Sequence, residues 1–215
     1  DGSKVLDEYY TNNQMPAINV QFVEPAIVTF AKLVSKDGTK TVNLQGSTQL
    51  STTVSLPAAE TLPNGEYNFE LYAKNGKNIL MTTPFTSIII IDNIAPKLNF
   101  TPPNNTIIND TSNVVISIAF DEEVNLTSIK LNSEDSRGNF TTIDNRNFIA
   151  TINMPDGSKN LQVTANDFAK NQLNSFISFM LDATPTVITL LEPKLGTAPS
   201  YTFNITVETD NIAEC

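Results

Sequence analysis

Apolar and polar residues alternate singly along much of this chain, the spacing of a strand with one face inward and one in water. Val114, Ile116, Ile118 and Phe120 alternate with Val115, Ser117 and Ala119. Tyr201, Phe203, Ile205 and Val207 alternate with Thr202, Asn204, Thr206 and Glu208, and Ile18, Val20 and Phe22 make a matching strand near the start. Tyr67, Phe69, Leu71 and Ala73 repeat the pattern, as do Leu161, Val163 and Ala165. Helical periodicity is nearly absent, so the pattern predicts an all-β chain. Asp37-Gly38, Asn64-Gly65, Asn75-Gly76 and Asp156-Gly157 are turn dipeptides that tolerate positive φ.

The pattern recurs. Residues 62–96 and 154–185 share Pro63 with Pro155, Gly65 with Gly157 and Ala73 with Ala165, each pair 92 positions apart, while Asp92 and Asp182 are 90 apart. A period of about 90 residues built of short strands points to tandem β-sandwiches. Pro96 and Pro185 follow the last strand of their units, where a missing N–H ends a ladder. The expected units are 1–94, whose N-terminal part diverges, 95–184, and 185–215, the start of a third. Two strands alone are marginal, so the third is expected to be completed by further chain or by a strand of a neighbouring molecule.

The order Pro-Asp/Asn-Gly, alternating strand ending in Ala, Asn, apolar strand, Asp-x-x-(Ala)-Pro resembles bacterial and archaeal Ig-like repeats of the cadherin and fibronectin-III type. Ile116-Ser-Ile-Ala-Phe-Asp-Glu-Glu-Val124 is similar to the second strand of those modules. The resemblance covers residues 62–215 and fits residues 1–61 loosely. It implies tandem Ig-like β-sandwich domains of about seven strands in an extracellular or cell-surface protein, and it implies no ligand, because the fold is a generic scaffold.

Charge narrows the partners. The net charge is −10, with no His and only Arg137 and Arg146 as arginines, which disfavours nucleic acid and anionic lipid alike. The longest apolar runs, such as Ser87 to Ile91, are too short to insert in a bilayer. Without His, and with Cys215 as the one cysteine, Ser-His and Cys-His nucleophiles and imidazole metal sites are excluded, and no phosphate-binding or nucleophile-elbow motif occurs. No catalytic residue is expected. Asp121-Glu122-Glu123 is the densest acidic cluster, and its bland reading is a solvated loop.

Calcium is the candidate cofactor. The strands ending before Asp121 and Asp167 run toward the pole where their unit begins, so Asp121, Glu122, Glu123 and Asp167 should approach Asp92 and Asn93 in the preceding linker. Clustered carboxylate and carbonyl oxygens suit a hard cation that takes six to eight of them. Asp182 and Asp210 would play equivalent parts at the next junction. The layout resembles a cadherin junction without the full cadherin linker motif.

Glycosylation sequons fall at Asn99, Asn104, Asn109, Asn125, Asn139 and Asn204. With 26 Asn and 41 Ser plus Thr in the chain, about five are expected by chance, so their number carries no information. Tyr9 and Tyr10, ahead of the first clear strand, are candidate interface residues. The leading functional expectation is a non-catalytic structural module of a prokaryotic cell-surface stalk, surface layer or filament. Its partners would be neighbouring repeats or subunits, including a homopolymer. The alternative is an adhesin-type module recognising a protein or glycan.

Overall fold

A computed structural model describes residues 3–5, 8–47, 49–192 and 205–209. The first sandwich is built from β1 (Ser3–Val5), β2 (Glu8–Thr11), β3 (Ala17–Ser35), β4 (Thr41–Leu44), β5 (Ser51–Pro57), β6 (Gly65–Asn75) and β7 (Phe85–Ile91). Its strands follow the order β1-β2-β7-β6-β3-β4, and β5 pairs β3 separately. The separate pairing arises because β3 serves both layers. Residues 17–21 pair β5, the register then shifts, and residues 26–35 pair β6. Val23, Glu24 and the N–H-free Pro25 occupy the exposed bend between the halves, where a missing donor costs no ladder bond. β2 runs parallel to β7 in the larger layer, and β1 pairs its outer edge.

The second sandwich repeats this plan. It comprises β8 (Leu98–Thr101), β9 (Ile107–Ile108), β10 (Val114–Phe120), β11 (Asn125–Leu131), β12 (Glu134–Asp135), a 3-10 turn at Arg137–Asn139, β13 (Asn147–Ile152), β14 (Gly157–Asn166) and β15 (Gln172–Leu181). One layer is β13-β10-β8 and the other β12-β11-β14-β15-β9, with β9 parallel to β15 as β2 is to β7. Here the bend of β3 becomes the turn Asp121–Val124 between β10 and β11. Beyond it, β16 (Ile188–Glu192) and β17 (Thr206–Thr209) form an antiparallel ribbon.

Each sandwich has its own core. Leu33, Leu56, Tyr67, Phe69, Leu71 and Ile91 centre the first. Ile116, Ile118, Ile129, Leu161, Val163 and Leu181 centre the second. Each such side chain contributes on the order of 1.5–3 kcal/mol by leaving water. The sequence expectation for the alternating strands holds: Val114, Ile116, Ile118 and Phe120 are buried while Val115 is exposed.

The turn dipeptides behave differently from one another. Gly38 takes φ 71° in the tight β3–β4 turn, and Gly157 takes φ 111° at the start of a strand. Gly76 is not left-handed. In that turn the positive φ falls on Asn78, at 66°, because the Asn75 carboxamide accepts the N–H groups of Lys77 and Ile79 at 3.0 and 3.1 Å.

Candidate cation site at the junction

The linker after β7 is held at both ends. The Asp92 N–H donates to the Thr11 carbonyl at 2.9 Å, and the Asp121 N–H donates to Lys97 O at 3.0 Å. The Asp121 carboxylate accepts the Lys97 N–H in return at 2.8 Å. Between these points the Asn171 amide donates to the carbonyls of Asp92 and Ile94, at 2.7 and 3.2 Å, and to Asp167 Oδ2 at 2.7 Å. Tyr10 of β2 packs against Phe168 with ring centroids 5.5 Å apart. A hydroxyl bond to Glu8 at 2.8 Å fixes its other end.

Three carboxylates converge there. Oxygens of Asp92, Glu122 and Asp167 all lie within 4.8 Å of one another. Ligands about 2.4 Å from a shared calcium ion can be no more than about 4.8 Å apart, so the spacing fits such an ion, and linker carbonyls lie alongside. Asp92 comes from the end of β7, Glu122 from the turn after β10 and Asp167 from the turn after β14. Asp167 is 4% exposed, and it also accepts the Asn171 backbone N–H at 2.8 Å.

The electrostatics record the crowding. Burial first, then the charges of Asp167, Asp92 and Asp121, push the Glu122 carboxyl up to about 7, with Arg146 opposing. Asp167 is raised as well, chiefly by burial, against the lowering bonds from Asn171. A carboxyl whose folded pKa lies above its unfolded value keeps its proton longer in the folded state, so stability falls as pH rises between the two values. The metal-free chain should therefore melt at a lower temperature at pH 8 than at pH 5. Glu122→Gln should flatten that slope and raise the melting temperature at pH 8, as thermal melts across pH would show.

Of the residues proposed from sequence, the structure brings together Asp92, Glu122 and Asp167. Asp121 is exposed and turned to the linker backbone, and Asn93 and Glu123 are exposed outside the cluster. Asp182 is exposed, and Asp210 and Asn204 lie outside the described residues. Asn99, Asn104, Asn109, Asn125 and Asn139 are all exposed, and the Asn104 side-chain oxygen accepts the Ser178 N–H at 2.9 Å. Sequence reasoning missed Asn171, whose signal is the Asp-x-x-x-Asn spacing from Asp167. It also missed Asn64, whose amide donates to Asp92 Oδ1 at 3.3 Å.

Residues 52–139 match the bacterial Ig-like domain family (group 3). The matched stretch runs from β5 across the junction to the 3-10 turn, so the junction lies inside the Ig-like match. No curated protein matches the chain. Among solved structures, it is similar to fibronectin(III)-like modules of Clostridium thermocellum CbhA, at 14% identity and TM-score 0.40, over 82% of this chain and 89% of that one. A tetra-tandem repeat from the extending region of a large adhesion protein aligns at 14% identity and TM-score 0.38, over 94% of this chain and 60% of that one. The BcpA major pilin subunit of Bacillus cereus aligns at 11% identity and TM-score 0.21, over 81% and 70%.

Proposed function

We propose that this Ig-like chain is a non-catalytic structural module of a prokaryotic cell-surface protein, in which units divided near residues 94 and 184 are stacked as a stiff rod. The observation that carries the reading is the tied linker. A spacer meant to flex would expose its backbone to water, whereas here Asn171 and Asp121 hold the carbonyls and N–H groups of residues 92–97. Tyr10 and Phe168 add an aromatic contact between the sandwiches, and at so short a linker such contacts set the relative orientation. Calcium, bridging Asp92, Glu122 and Asp167, would neutralise the carboxylates that burial crowds together and join the linker to two loops of the second sandwich. Its neighbours in the rod would be further repeats of the same protein.

The reading is tested on intact cells of the source organism. Antibodies raised against the largely exposed residues 141–147 should label unpermeabilised cells. Labelling that needs lysis would overturn the surface assignment.

A further inference from the structure

The two sandwiches differ in one strand. In the second, β10 is paired on both edges, by β13 and by β8, and Leu98 and Phe100 of β8 pack on the core. Ile116 and Ile118 are consequently 0% exposed, and Phe120 is 7% exposed. In the first sandwich, the matching half of β3 pairs β5 on one edge, and among the described residues no strand pairs the other. Its inward residues Ile18, Val20 and Phe22 stay only partly buried. An apolar cleft of about 480 Å³ opens beside them, lined among others by Tyr9, Leu71, Met81 and Phe85. Unpaired backbone next to such a cleft is a seat for one added strand.

The second sandwich shows what fills that seat. β8 lies antiparallel to β10, with Phe100 opposite Ile118 and Leu98 opposite Phe120. Ninety positions after Leu98 and Phe100 stand Ile188 and Leu190 of β16, with Thr189 in the polar position of Asn99. β16 meets β17 in the corresponding register, Leu190 opposite Val207. Among the described residues its other edge pairs with no strand. Ile188, Leu190, Ile205 and Val207 are 64%, 56%, 66% and 42% exposed.

We propose that the cleft of the first sandwich is a strand-acceptor site, and that its occupant is β16 of a second copy, laid antiparallel to residues 17–21. Ile188 and Leu190 would enter the cleft as Leu98 and Phe100 enter the second core, and β16 would keep β17 on its far edge. Donor and acceptor are different surfaces, so the contact is head-to-tail and open-ended, and repeated it builds a filament. The inference stands apart from the cation and from the surface location.

Sedimentation velocity of the chain over a concentration series tests it. The wild type should form species that lengthen with concentration. Leu190→Glu, on an exposed position, should abolish association without loss of folding, and Val20→Glu should abolish it from the acceptor side. Mixing the two variants should restore one contact and stop at a dimer, because each retains one good surface. A synthetic peptide of residues 186–192 should compete with wild-type association. A wild type that stays monomeric throughout, or a Leu190→Glu chain that associates like wild type, would overturn the proposal.

Discussion

Replacing Phe69 by alanine is expected to unfold the first sandwich near physiological temperature while the second stays folded. Phe69 is 1% exposed and meets Phe85 edge-on at 6.2 Å between centroids. Truncating a buried phenylalanine costs about 3–5 kcal/mol, part lost transfer energy and part cavity. A domain of this size holds only about 5–15 kcal/mol in total. The two cores share no residue, so the loss should stay local. Calorimetry should show one of two transitions shifted strongly downward and the other nearly unmoved. A single transition moving as a whole would mean that the junction couples the cores into one cooperative unit.

The second large effect is expected from calcium. An ion that binds only the folded junction stabilises it by about 2.7 kcal/mol at a hundredfold excess over its dissociation constant. The melting temperature of the second sandwich should therefore rise on adding calcium and fall with chelator. Glu122→Gln separates this from a general salt effect, because it preserves shape while removing a charged ligand. Without calcium the variant should be as stable as wild type or more so at neutral pH, since burial and the charges of Asp167 and Asp92 disfavour the ionised group. With calcium it should gain nothing. Equal calcium shifts in both proteins would sink the cation site.

The strands were legible wherever one face is buried and pairing is regular, as in β10, where every second residue is in the core. β3 was legible only through Phe22. Its inward residues run Ala26, Val28, then Ala31 and Leu33, and the register slip between Val28 and Phe30 reverses the parity that period-two reading relies on. The site was half legible. Strand direction alone brings the turns after β10 and β14 to the linker, which is why Asp92, Glu122 and Asp167 could be grouped. Adjacent turn residues point in different directions, however, so nothing in Asp121-Glu122-Glu123 says which one faces inward. Asn171 acts on backbone carbonyls 77 and 79 residues away, a contact that no local spacing encodes. The unpaired edge of β3 could not be read at all, because Ile18, Val20 and Phe22 alternate as cleanly as a paired strand.

The proposed rod requires the tied linker to make the two sandwiches move as one body. Backbone ¹⁵N relaxation on the Leu190→Glu chain with calcium, in which head-to-tail association is blocked, measures this directly, by giving each sandwich its own rotational correlation time. A rod tumbles as one elongated body, so both sandwiches should report the same value, and Asn171→Ala should split it into two shorter ones. Two independent short correlation times in the chain with Asn171 intact, unchanged by that substitution, would mean that the linker leaves the sandwiches free of each other.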